Sequence, residues 1–119
     1  MKYTFICNYG QNRGPTAVRV TRELAQERKV ELEAEFRALF PEESGEYEGK
    51  VAEELKISDR IFVMTPKIGE VVRQRYQVPQ DKITCLDIED VYACHGSEAH
   101  AMTKILEDIL RVKLNKWIR

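Results

Sequence analysis

Apolar positions along this chain switch repeatedly between two spacings. Tyr3 to Ile6 form a short run of β-branched and aromatic residues, which predicts a strand. From Pro15 to about Lys29 the pattern changes. Ala17, Val20, Thr21, Leu24 and Ala25 recur at intervals of three and four, with Arg19, Arg22, Glu23, Gln26 and Glu27 on the other side. This predicts a helix with one face laid on a sheet. Val30 to Phe40 carries both signals: Leu32, Ala34 and Phe36 alternate with Glu31, Glu33 and Glu35, yet Ala34 to Phe40 also fits a helical turn. The clean alternation, and the need of the first helix to return to the sheet, favour a strand.

Pro41 to Gly49 is acidic and glycine-punctuated and reads as a loop, with Glu48 to Lys56 a short helix after it. Asp59 to Met64 predicts a buried strand, whose continuous apolar run from Ile61 to Met64 suits an interior position in a parallel sheet. Pro66 then opens a helix in which Ile68, Val71, Val72 and Tyr76 share a face, ending before Pro79. Lys82 to Ile88 predicts a fourth strand, Glu89 to Gly96 a loop, and Ser97 an N-cap for a long last helix. In that helix Met102, Ile105, Leu106, Ile109 and Leu110 make the apolar stripe, and Trp117 is expected to anchor the core. Strand and helix alternate throughout. That pattern predicts one α/β domain over residues 1–119, a three-layer α/β/α sandwich with a four-stranded parallel sheet and helices on both faces. In such sheets ligands bind beyond the carboxyl ends of the strands, where both Cys7 and Asp90 fall.

Composition narrows the classes. With 119 residues, 43% of them hydrophobic, the chain can bury a core without disulfide or metal support. The net charge of −1, with both signs mixed along the chain, offers no basic field for nucleic acid or a membrane surface. No stretch approaches a membrane span and the apolar start is too short for a signal peptide. Three cysteines form no disulfide framework, so a reducing, cytoplasmic setting is expected. A monomer or weak dimer is expected.

The chemistry gathers after the first strand. Cys7 ends it, Arg13 follows six positions later, and Pro15 suits the first turn of the next helix. A cysteine and an arginine at that spacing are common by chance; the strand before, Gly10 in the intervening loop and the helix after give the pair its meaning. A loop facing a helix N-terminus aims backbone N–H groups and the positive end of the dipole at one small volume. That volume suits a phosphate, and it is expected to favour a Cys7 thiolate over the thiol, below the ordinary midpoint of about 8.5. Arg13 adds a planar fork able to hold two phosphate oxygens.

Cys7 to Ala17 resembles the phosphate-binding loop of the low-molecular-weight protein tyrosine phosphatases, a strand followed by Cys-x5-Arg-Ser/Thr-Pro. Ile88-Glu89-Asp90-Val91-Tyr92 is similar to that family's Asp-Pro-Tyr segment. The two matches bracket nearly the whole chain, in the family's order and at about its length. The resemblance implies hydrolysis of a phosphomonoester through a phosphocysteine on Cys7, with a phosphotyrosine protein or a small phosphomonoester as substrate and no cofactor or metal. Arg13 and the loop from Asn8 through Tyr9, Gly10, Gln11 and Asn12 to Gly14 would bind phosphate, and Asp90 would act as general acid and then base. Asp87, at the strand end, is the rival acid. Tyr9, Tyr47 and Tyr92 are candidate walls for the substrate's ring. Cys94 is a candidate redox partner able to trap an oxidised Cys7 as a disulfide, whereas Cys85, inside a strand, is expected to be a small buried hydrophobe. His95 and His100 form no metal-ligand spacing with Cys94.

The departures from the family pattern are Gly10 in place of Asn, Gly14 in place of Ser or Thr, and Val91 in place of Pro. Gly14 matters most. It cannot offer a hydroxyl to the departing thiolate, so breakdown of the phosphocysteine is expected to be slow, with a burst of first product, and Gly14→Ser is expected to speed it. Two other readings stand beside hydrolysis. Thiol-dependent arsenate reduction would need Cys85 and Cys94 as a relay, and a weakened phosphate- or phosphopeptide-binding module would need neither Cys7 nor Asp90.

Overall fold

The computed structural model describes residues 1–7, 13–38, 45–88 and 98–119, and their side chains except those of 45–48 and 98–102. The elements are β1 (Lys2–Cys7), α1 (Arg13–Arg28), β2 (Glu33–Ala38), α2 (Gly45–Ile57), β3 (Arg60–Val63), α3 (Pro66–Tyr76), β4 (Ile83–Cys85) and α4 (Glu98–Leu114). Single 3-10 turns stand at Gln80–Lys82 and Asn115–Trp117. The four strands form one parallel sheet in the order β2-β1-β3-β4. The expected α/β/α architecture is therefore present, with the apolar run of β3 in an interior position.

Register assigns the two faces. Phe5 pairs with Phe36 on one side and Phe62 on the other, so three rings share a face. Phe5 and Phe62 stack at 5.0 Å, Tyr3 meets Phe62 edge-on at 5.0 Å, and Trp117 closes the group edge-on to Phe62 at 5.7 Å. Phe5 and Phe62 are fully buried, each worth about 3 kcal/mol of transfer free energy. Helices α1 and α4 cover this face and are tied to each other at their surface, Arg111 to Glu27 at 2.9 Å. The opposite face carries Ile6, Ile61, Val63 and Ile83 under α2 and α3. Its rim is ionic: Glu54 of α2 meets Lys2 at 2.9 Å and Arg37 at 3.5 Å. Helix α3 lies close because Gly69 has no side chain; a Cβ there would stand 3.1 Å from Val63 Cγ2.

Several expectations are corrected. Helix α2 starts at Gly45, inside the stretch read as a loop, so Tyr47 belongs to its first turn. The buried stripe after α4's first turns is Leu106, Leu110, Leu114 and, beyond the helix, Ile118, while Ile105 is 46% exposed. A helical stripe has a definite width, and Ile105 falls on its outer margin. The fourth strand ends at Cys85, three residues before the expected Ile88. Cys85 is exposed because β4 is the sheet's edge, where a strand residue need not be covered. Trp117 is half-buried, with the Arg60 guanidinium 4.4 Å from its ring centre. No described helix is long and apolar enough to cross a membrane.

Candidate active site

Residues Cys7 and Arg13 bound the five-residue connection from β1 to α1. Cys7 is the last residue of an interior strand and is 2% exposed. By register it shares the face of Phe5, beneath α1. Arg13 opens α1 and is 3% exposed, an unusual burial for a permanent cation. Its Nη1 donates to the carbonyl of Ile88 at 2.6 Å, reaching from the start of α1 to the segment beyond β4. A charge-assisted bond of this kind is worth about 1.5–3 kcal/mol net, and it holds the fork in one orientation.

Gly14 is pressed between the thiol and the neighbouring strand. A Cβ at position 14 would lie 3.0 Å from Cys7 Sγ and 3.2 Å from Phe36 Cβ. The first turn of α1 thus packs directly on the sulfur, which brings the N–H groups of that turn and the helix dipole to the site's sulfur end. The same crowding adds a packing cost to Gly14→Ser. A side chain there must move Sγ or β2 by a few tenths of an ångström, so a hydroxyl cannot be added without a packing cost.

Asp90, the expected acid, lies outside the described residues, as do Asn8, Tyr9, Gly10, Gln11, Asn12, Tyr92 and Cys94. The side chain of Tyr47 does as well. Asp87 is described. It is exposed, and with Thr84 it lines a groove against Lys113, Lys116 and Trp117. Cys85 pairs with Val63, and Val63 with Ile6, so the Cys85 side chain leaves the sheet on the face opposite Cys7. A direct relay from Cys85 to Cys7 has the sheet in its way. What sequence reasoning missed is the Arg13–Ile88 bond, which joins residues 75 apart; the only signal was that both sit beyond carboxyl ends of strands.

No family model and no curated protein matches the sequence. Solved structures do match its fold. A low molecular weight protein tyrosine phosphatase from Bacillus subtilis superposes with a TM-score of 0.77 at 17% identity, over 100% of both chains. One from T. tengcongensis gives 0.76 at 19% identity, over 98% of this chain and 99% of that one. The fold is that of the low molecular weight protein tyrosine phosphatases. The same fold extends to an arginine phosphatase, YwlE, with a TM-score of 0.67 at 17% identity over 98% of this chain and 95% of that one. In that structure a serine in place of the active-site cysteine carries the phosphate. At such identities the likeness is one of phosphatase fold, and the chemistry must be argued from this chain's own residues.

Proposed function

We propose that the protein hydrolyses phosphomonoesters on protein side chains, phosphotyrosine foremost, through a phosphocysteine at Cys7. The observation that carries this is the packing at the carboxyl end of β1: a buried thiol with the first turn of α1 against its sulfur and a buried arginine fork one residue before that contact. In the first step the Cys7 thiolate attacks phosphorus in line, the P–O bond to the substrate breaks, and Asp90 gives its proton to the departing oxygen. Arg13 and the N–H groups of the connecting loop hold the equatorial oxygens as charge builds on them. In the second step Asp90 takes a proton from water, the water oxygen bonds to phosphorus, and the S–P bond breaks to return the thiolate. This chemistry uses no metal or redox cofactor. A reducing compartment keeps its nucleophile available.

Support comes from the fold shared with phosphatases of tyrosine and arginine, and from the paired residues Cys7 and Arg13. The deciding experiment is turnover on para-nitrophenyl phosphate, a phosphotyrosine peptide and a phosphoarginine peptide, wild type against Cys7→Ser. Hydrolysis lost in Cys7→Ser supports the proposal, and preference among the peptides names the substrate. No turnover by the wild type, or turnover that survives Cys7→Ser, rejects it.

A further inference from the structure

Three described non-glycine residues have left-handed backbone: Lys29 at φ 56°, Gln77 at φ 54° and Asp87 at φ 55°. The first two close helices, Lys29 immediately after α1 and Gln77 as the C-cap of α3, where this conformation is ordinary. Asp87 closes no helix. It lies two residues past β4, between buried Leu86 and buried Ile88. Around it the pairing with the end of β3 and with Met64 just beyond it continues out of step. Leu86 N donates to Val63 O at 2.8 Å, and Ile88 N to Met64 O at 2.6 Å. Donors two residues apart on this segment therefore reach carbonyls one residue apart on the other, so the chain gains a residue at Asp87. This is a bulge, a device that re-aims the groups that follow it.

The group re-aimed is the Ile88 carbonyl, which accepts from Arg13 Nη1 at 2.6 Å in a buried setting. The Asp87 carboxylate is exposed and lines the groove with Lys113 and Lys116. We propose that Asp87 is a positioning residue whose left-handed backbone, rather than its carboxylate, turns the Ile88 carbonyl onto Arg13 and so fixes the orientation of the phosphate clamp. Aspartate suits the place because, with asparagine and glycine, it tolerates this region far better than a β-branched residue. The inference rests on the reading of Arg13 as a phosphate clamp. It assigns Asp87 a role different from the acid role for which it was a rival to Asp90.

The experiment measures orthovanadate affinity by calorimetry, and kcat and KM on para-nitrophenyl phosphate and a phosphotyrosine peptide, for Asp87→Asn, →Gly, →Ala and →Val. Asn and Gly should hold the orthovanadate Kd within about threefold of wild type, Ala should weaken it, and Val should weaken it by roughly tenfold, following the cost of left-handed backbone. The two substrates should lose kcat/KM in parallel. If Val fails to fold, the order of Ala against Gly decides in its place. A Val or Ala variant that binds orthovanadate like Gly overturns the inference. So does an Asn variant with wild-type orthovanadate affinity that loses turnover mainly on phosphotyrosine, because that is the mark of a lost proton donor. A wild type that binds orthovanadate but hydrolyses neither substrate refutes the proposed hydrolysis alone, and the order of Kd values still tests Asp87.

Discussion

Two interior strands of this sheet hand over to helices on opposite faces, and the two crossings are built differently. Between β3 and α3 stand only Met64 and Thr65. Thr65 is extended at φ −136°, its hydroxyl accepts from Ile68 N at 3.3 Å, and Pro66 takes the first helical position. Between β1 and α1 stand five residues, 8–12, with Pro15 again in the first turn but a buried thiol before the connection and a buried guanidinium after it. The first crossing spends its polar group on the helix itself. The second brackets its connection with a buried thiol and a buried guanidinium, the pair proposed to attack and hold a phosphate, so the two crossings of one sheet differ in whether their polar groups serve the helix or the proposed chemistry.

The strongest test of that contrast is Cys7, the proposed nucleophile. Cys7→Ser should lower kcat on para-nitrophenyl phosphate by roughly a thousandfold or more, because a hydroxyl at neutral pH is a far poorer nucleophile than a thiolate. Its melting temperature should stay close to wild type, since the change is nearly isosteric. Next comes Arg13→Lys, expected to cost about 10²–10³-fold in kcat/KM, because an ammonium cannot bind phosphate oxygens as a fork. It should also lower the melting temperature through loss of the bond to Ile88, which a calorimetric scan would show. An Arg13→Lys enzyme with near-normal kcat/KM would erase the difference between the two crossings.

Gly14 sharpens the comparison at a finer scale. Gly14→Ala and Gly14→Ser impose the same crowding on Sγ and Phe36, and each should lose about 1–3 kcal/mol of stability. They differ only in the hydroxyl. In rapid-quench measurements the phosphocysteine of the Ser variant should break down about 10–150-fold faster than that of the Ala variant, the worth of one charge-assisted hydrogen bond. Equal breakdown rates would mean that the hydroxyl does not reach the sulfur. The smallest effect belongs to the other crossing: Thr65→Ala should cost about 1 kcal/mol of stability, roughly 4 °C in melting temperature, with turnover unchanged.

Local chemistry made much of this legible. Strand β1, helices α1 and α3 and the interior place of β3 followed from spacing and from proline positions, since those signals are set by neighbours in sequence. Cys7 and Arg13 stood out for the same reason. What spacing could not show was set by the third dimension. Cys85 reads as a buried strand residue, and only the sheet order reveals that β4 is an edge. Lys82 to Ile88 reads as one strand, and only the bulge at Asp87 shows why it stops early. Gly14 reads as a lost hydroxyl, whereas its surroundings show a place where a side chain has little room.

One modest contact bears on how the chain avoids sticking to itself. Lys82, just before β4, donates through Nζ to the carbonyls of Leu55 and Lys56 at 2.9 Å each, at the C-terminal end of α2. A cation there also suits the negative end of that helix. The contact fastens the outermost, three-residue strand to the layer below. Without it β4 could peel away and leave β3, whose Ile61, Phe62 and Val63 are fully buried, as a bare hydrophobic edge open to pairing with another chain. The far edge is guarded by other means, since β2 carries Glu33, Glu35 and Arg37. Lys82 on one side of the sheet and a charged strand on the other thus both work against edge-to-edge pairing.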